Sequence, residues 1–381
     1  MQSEFPLDES IIYLNHAGVS PWPRRSRDAV VAFADENIHR GAADYPRWIR
    51  TETRLRERLA SLINAPHASD IALIKNTSEG LSFIAQGLQW SPGDAVIINQ
   101  DEFPSNRIVW EALASSGVEI VDVDLRSAAT PEDALIAAMN TRPPRLLSVS
   151  SVQYGSGLRM DLPRLAAACR ERGVLFCVDA IQTLGALRFD LDEVDADFVV
   201  ADGHKWMLGP EGLGLFYCRP ALRDSLRLVE HGWHMVAAAG DYDRRDWQPA
   251  PDARRFECGS PNMLCAHGLE ASLSLLLDDV GLDEVEARVL GNSAWLMDRI
   301  SAEPQLDLVS DPTPERRSGI VTFRAKGVEG EPLYRGLREA GVVCAKRGGG
   351  IRFSPHFYVT QSKLERAMDQ VMTLAHKLRD T

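Results

Sequence analysis

Short apolar runs alternate with amphipathic stretches over the first two thirds of the chain. Residues 71–74, 95–99, 119–123 and 145–150 read as strands. Residues 174–178 and 197–201 have the length and the β-branched or aromatic content of buried parallel strands. Between these runs the period changes. Leu81, Ile84, Ala85 and Leu88 fall on one face of a helix, residues 162–172 read as another, and 24–62 is largely helical with a break near Gly41 and Pro46. Residues 11–14 are a short strand-like run. Helices are expected at 263–277 and 282–302, followed by strands at 318–324 and 342–344 and a closing segment at 348–358. The pattern predicts an α/β fold on a mostly parallel sheet, followed by a smaller α+β layer.

A length of 381 residues suits two domains. The expected division is 15–280 for a large domain and 281–381 for a small C-terminal one, with 1–14 packing near the latter. The formal charge of −12 argues against nonspecific nucleic-acid binding. No run approaches the ~18 apolar residues of a membrane span. The opening MQSEFPLDES has neither a basic region nor a hydrophobic segment, so no secretory signal is expected. The six cysteines, at 169, 177, 218, 258, 265 and 344, form no CxxC. Neither a zinc site nor a disulfide framework is indicated, no metal is expected, and a reducing cytoplasm is the simple reading.

The chemistry concentrates in the run from 174 to 217. The first strand there ends on Asp179. The second ends on Asp202-Gly203-His204-Lys205, ahead of the turn Gly209-Pro210-Glu211-Gly212-Leu213-Gly214. A carboxylate and a lysine past the ends of parallel strands point into one crevice, where open α/β sheets bind ligands. A lysine that forms a Schiff base needs such a shielded place, and pyridoxal phosphate needs an acid partner for its ring nitrogen. Lys205 and Asp179 would supply both. The glycine-rich turn follows a lysine instead of opening a helix after a strand, so it is neither a P-loop nor a dinucleotide fingerprint.

The segment VDAIQTLGA…ADGHKW resembles the class V aminotransferase group of pyridoxal-phosphate enzymes, which includes cysteine desulfurases, selenocysteine lyases, kynureninases and isopenicillin N epimerase-like proteins. The resemblance extends over nearly the whole chain. It implies the fold of PLP-dependent transferases of fold type I, with a mostly parallel seven-stranded sheet in the large domain. It also implies a homodimer with shared active sites.

The resemblance carries roles onto particular residues. Thr77 and Ser78, at a helix start where hydroxyls also cap, fall where the family binds the cofactor phosphate. Phe103 matches the ring that stacks on the pyridine, where desulfurases have histidine. Gln153 or Tyr154 stands near the cofactor's phenolic oxygen, and the amide of Gln182, three residues after Asp179, can donate to that oxygen. His204 matches a phosphate ligand. Asp202 departs from the usual serine, and its carboxylate would repel phosphate. In 254–262 Ser260 matches the hydroxyl that reaches the other subunit's phosphate, or it simply caps the next helix. Arg352, in a motif with Val359 where asparagine is usual, matches the arginine that forks onto the substrate carboxylate. His16 lies in a loop near the substrate. Residues 231–247 read as a loop at the mouth of the site.

The implied function is chemistry at Cα of an amino acid, with transamination first. A C–S lyase, a kynureninase-like lyase and an epimerase are the alternatives. Persulfide-forming desulfuration is disfavoured, because Cys344 sits in an apolar strand too close to Arg352 to occupy a mobile loop. A catalytically silent member would have lost Lys205 or Asp179, and both are present.

Overall fold

The computed structural model describes residues 3–379. Met1, Gln2, Asp380 and Thr381, which close the expected ranges 1–14 and 281–381, lie outside the described residues. After β1 (Ile12–Tyr13), seven strands build the main sheet: β2 (Ile71–Ile74), β3 (Ala95–Asn99), β4 (Glu119–Val123), β5 (Leu146–Ser150), β6 (Leu175–Asp179), β7 (Phe198–Asp202) and β8 (Gly214–Cys218). Their order is β2-β8-β7-β6-β5-β3-β4. β3 to β7 and β4 pair in parallel, and β8 is antiparallel to both its neighbours. The inner strands are buried on both faces, which is why they read as unbroken apolar runs, whereas β4 at the edge is half exposed.

β8 was not expected. It opens on Gly214, whose backbone lies so close to β7 that a β-carbon would sit 2.2 Å from the Ala201 carbonyl oxygen. The glycines that mark it as a turn in the sequence allow this close pairing. Register places the functional ends together. Ser150 is opposite Asp179 and Asp179 opposite Val200, so β7 runs two residues further to Asp202.

The helical break before β2 is where the sequence predicts it. α1 (Arg24–Arg40) ends on Gly41, which adopts φ +55°, and α2 (Tyr45–Ile63) begins with Pro46 in its first turn. Both pack on the helix Met263–Ser274. That helix widens into a π-turn over Leu275–Val280, stops at Gly281 and restarts as Leu282–Ser301.

The remaining strands, β9 (Leu306–Leu308), β10 (Val321–Ala325), β11 (Val342–Val343), β12 (Ala345–Arg347) and β13 (Gly350–Phe353), form a second layer. Four are antiparallel in the order β12-β13-β10-β9, and β11 pairs in parallel with β1. The strand expected at 342–344 is therefore divided at Cys344 between two sheets. Phe323 and Phe353 meet edge to face at 5.2 Å in this layer's core, under the helices Gly330–Glu339 and Gln361–Arg379.

Candidate active site

A cavity of about 370 Å³ opens at the C-terminal ends of β5, β6 and β7. Asp179, the last residue of β6, and Lys205, in the turn after β7, line it together with Thr77, Ser78, Phe103, Tyr154, Gln182, Asp202, His204 and Arg352. Burial lowers the affinity of the Lys205 amine for its proton, Asp179 opposes that effect, and Arg352 adds to it. Burial also raises the Asp179 carboxyl, against a hydrogen bond at 3.1 Å from the Ile181 N–H. The two groups are thus pushed toward each other's range. The Lys205 ammonium stands 5.5 Å from the centroid of the Phe103 ring.

The lysine turn is anchored from behind by Trp206, which is fully buried. Its indole N–H donates to Gln182 Oε1 at 2.9 Å, and its carbonyl lies 2.9 Å from His356 Nε2. Gly185, at φ +94°, runs so close that a β-carbon would stand 2.3 Å from the Trp206 carbonyl oxygen. Gln182 Nε2 donates to the Ala17 carbonyl at 3.1 Å, which leaves one amide N–H at the crevice.

α3 (Thr77–Gly87) begins at the crevice. The cap expected of Thr77 and Ser78 belongs instead to Asn76, whose Oδ1 accepts from Glu79 N–H at 3.0 Å. The Thr77 hydroxyl is thereby released, and its Oγ1 is buried without a partner. Ser78 Oγ donates to Ser105 Oγ at 2.9 Å. An unpartnered hydroxyl beside the free N–H groups of a helix start fits an anion such as a phosphate. Asp202 Oδ1 lies 3.1 Å from His204 Nδ1, but the two are not aligned as a hydrogen bond, and both atoms are buried and unpartnered.

Arg352 on β13 is 3 % exposed. Nη1 donates to the Tyr154 carbonyl at 2.8 Å and Nη2 to Asn15 Oδ1 at 3.2 Å, while Nε has no partner. Burial pulls its guanidinium down to about 10, with Arg347 contributing. Of the pair Gln153 and Tyr154, only Tyr154 reaches the crevice, packed edge to face on Phe103 at 5.2 Å. Gln153 is buried and faces Glu102, 3.3 Å away.

Two expected positions lie elsewhere. His16 is fully buried behind the crevice, with Nδ1 2.8 Å from the Ser354 carbonyl and Nε2 2.7 Å from the Tyr358 hydroxyl. Its neighbours Ala17 and Gly18 face the cavity instead. Ser260 is exposed in a separate groove with Lys75, Glu79 and Cys258, outside its own chain's crevice.

The sequence reading did not single out Asn15, Asn76, Trp206 or Arg347. Asn76 alone carried a local signal, as a capping residue three positions before Glu79.

The fold of a cysteine desulfurase from Escherichia coli superposes with a TM-score of 0.87 at 23% identity, covering 99% of this chain and 97% of that one. A probable cysteine desulfurase of Methanothermobacter thermautotrophicus is 26% identical, over 96% of this chain and 95% of its own length. Isopenicillin N epimerase of Streptomyces clavuligerus is 27% identical, over 97% and 96%. The family model described as "Aminotransferase class-V" matches residues 12–366, and the chain belongs to that family.

Proposed function

We propose that this enzyme uses pyridoxal phosphate to act at Cα of an amino acid, and that its reaction is transamination. The observation that carries the reading is that Lys205 and Asp179 are buried together in one crevice with the buried Arg352. Bound there, the cofactor would supply an electron sink for charge left at Cα. Thr77, Ser78 and His204 would hold its phosphate, and Phe103 offers a flat apolar face to its ring. Asp179 would hold a proton at the ring nitrogen, and Gln182 and Tyr154 would flank the phenolic oxygen. Arg352 fixes the substrate carboxylate through its fork. Lys205 Nζ would take the proton from Cα and, in a transamination, hand it on to the cofactor instead of returning it to Cα.

Relatives named cysteine desulfurase favour a second reading, removal of sulfur from cysteine. Forming a persulfide on the protein needs an accessible thiolate. Among the described residues no cysteine lines the crevice, and burial pushes the Cys344 thiol up to about 12. A C–S lysis or an epimerisation that relies on Lys205 alone remains compatible with this site.

We also propose a homodimer in which Ser260 meets the partner's phosphate. Its exposure, outside its own crevice, supports this. A cytoplasmic setting belongs to the same proposal and is supported by six free thiols. Among the described residues, no helix is long and apolar enough to cross a membrane.

Two experiments test the reading. Purified protein reconstituted with pyridoxal phosphate is expected to absorb in the visible, and borohydride is expected to abolish that band and label Lys205. A label on another residue, or no binding, refutes the cofactor assignment. A panel of amino acids, followed for keto acid, pyruvate, alanine, sulfide and inverted product, separates transamination from the other reactions.

A further inference from the structure

Glu52 on α2, His234 in the irregular segment after β8, and Glu257 shortly before Ser260 are far apart in sequence and meet in space. One ligand atom from each lies within 4.8 Å of the other two. Glu52 and Glu257 are 6 % and 7 % exposed. Arg56 occupies one side of the cluster: Nη2 donates to Glu52 Oε1 at 2.5 Å and to Glu257 Oε2 at 2.7 Å, and Nη1 donates to Glu257 Oε1 at 2.5 Å. The Leu73 N–H also donates to Glu257 Oε1 at 2.9 Å. The other side is unfinished. Glu52 Oε2 and His234 Nδ1 are both buried without a partner, and His234 Nδ1 stands 3.7 Å from Glu257 Oε2.

Two carboxylates against one guanidinium leave an excess negative charge in a largely buried place. Buried charges are paired or bind metals. We propose that Glu52, His234 and Glu257 form a zinc-type divalent-cation site. One imidazole nitrogen with two carboxylate oxygens is a donor set that suits zinc. Three atoms no more than 4.8 Å apart all lie within about 2.8 Å of some common point, against roughly 2.0–2.2 Å for zinc bonds. Side-chain shifts of up to about 0.6–0.8 Å close the difference. Arg56 then orients both carboxylates from behind, as outer hydrogen bonds do at metal centres.

None of the three residues lines the crevice of Lys205, so the site is structural and does not depend on the proposed reaction. It would tie α2 to the segment carrying Ser260. It would also hold down the loop around Trp233, Tyr242 and Trp247, which lines a cavity of about 410 Å³.

The test uses full-length protein stripped with a chelator and titrated with zinc alone. Calorimetry and metal content after dialysis are expected to give one zinc per chain, together with a rise in Tm. His234→Ala, on an irregular segment, is expected to weaken binding at least tenfold and remove the rise. Glu52→Gln should do the same, with circular dichroism checking that the loss of its contact to Arg56 leaves the fold intact. Cys258, next to Glu257 in the chain, is a competing soft ligand, and its thiol donates to Glu230 Oε2 at 3.1 Å. Cys258→Ser is expected to bind zinc as wild type does. If wild type retains no zinc after dialysis, or His234→Ala binds it equally well, the site is refuted.

Discussion

Burial perturbs the protonation of both Asp179 and Lys205, and each opposes the shift of the other. Changing the carboxylate therefore alters chemistry more than cofactor retention. Asp179→Asn is expected to keep pyridoxal phosphate, because the phosphate contacts are untouched, while turnover drops by orders of magnitude. Unchanged turnover with a matched substrate would remove Asp179 from the mechanism. A second residue-scale consequence concerns acid. Burial pushes His356 down to about 4 and His16 well below the ordinary imidazole range. Between the unfolded value near 6.5 and the folded one, the unfolded chain binds more protons, so stability rises with pH and is lost as pH falls through that window. For His356 the loss amounts to roughly 3 kcal/mol at most. Urea unfolding of His356→Gln should therefore show a shallower loss from pH 6.5 to 4 than wild type, and equal slopes would contradict the assignment.

Among the elements, the division of residues 342–347 into β11 and β12 puts Cys344 in the apolar core of the second layer, 2 % exposed. Cys344→Ala is expected to leave turnover within a few-fold of wild type, under about 1 kcal/mol in the barrier. It should lower stability by about 1 kcal/mol through the small cavity it leaves. Loss of sulfur release by orders of magnitude with cofactor still bound would make the enzyme a desulfurase. This scale also explains what could be read in advance. The strands β2, β3 and β5 to β7 are largely apolar runs because both faces are covered, whereas edge strand β4 is half exposed; Asp179 ends β6 and Lys205 follows β7. β8 was missed because glycine, which weakens a strand locally, is tolerated where another backbone presses close. Trp206 and Asn15 escaped notice because their partners, Gln182 and Arg352, are distant in sequence. His16 was misplaced because a loop beside the crevice was recognised while the direction of its side chain was not.

For the whole molecule, we propose the division near Gly281, where the π-turn ends and the second layer begins, and a dimer that completes each crevice. Ser260→Ala should weaken cofactor binding although Ser260 lies outside its own crevice. Sedimentation at micromolar concentration should give a dimer, and a fully active monomer would refute shared sites. The pairing of β1 with β11 also sets an order of events during synthesis. β1 finds its neighbour only once Val342 and Val343 have been made, and Asn15 meets Arg352 later still. A nascent chain that already holds Lys205 and Asp179 therefore lacks the proposed carboxylate clamp and carries β1 unpaired. In the proposed reaction, chemistry at the lysine waits on the segment that carries Arg352, and a chain truncated before it is expected to leave the crevice open.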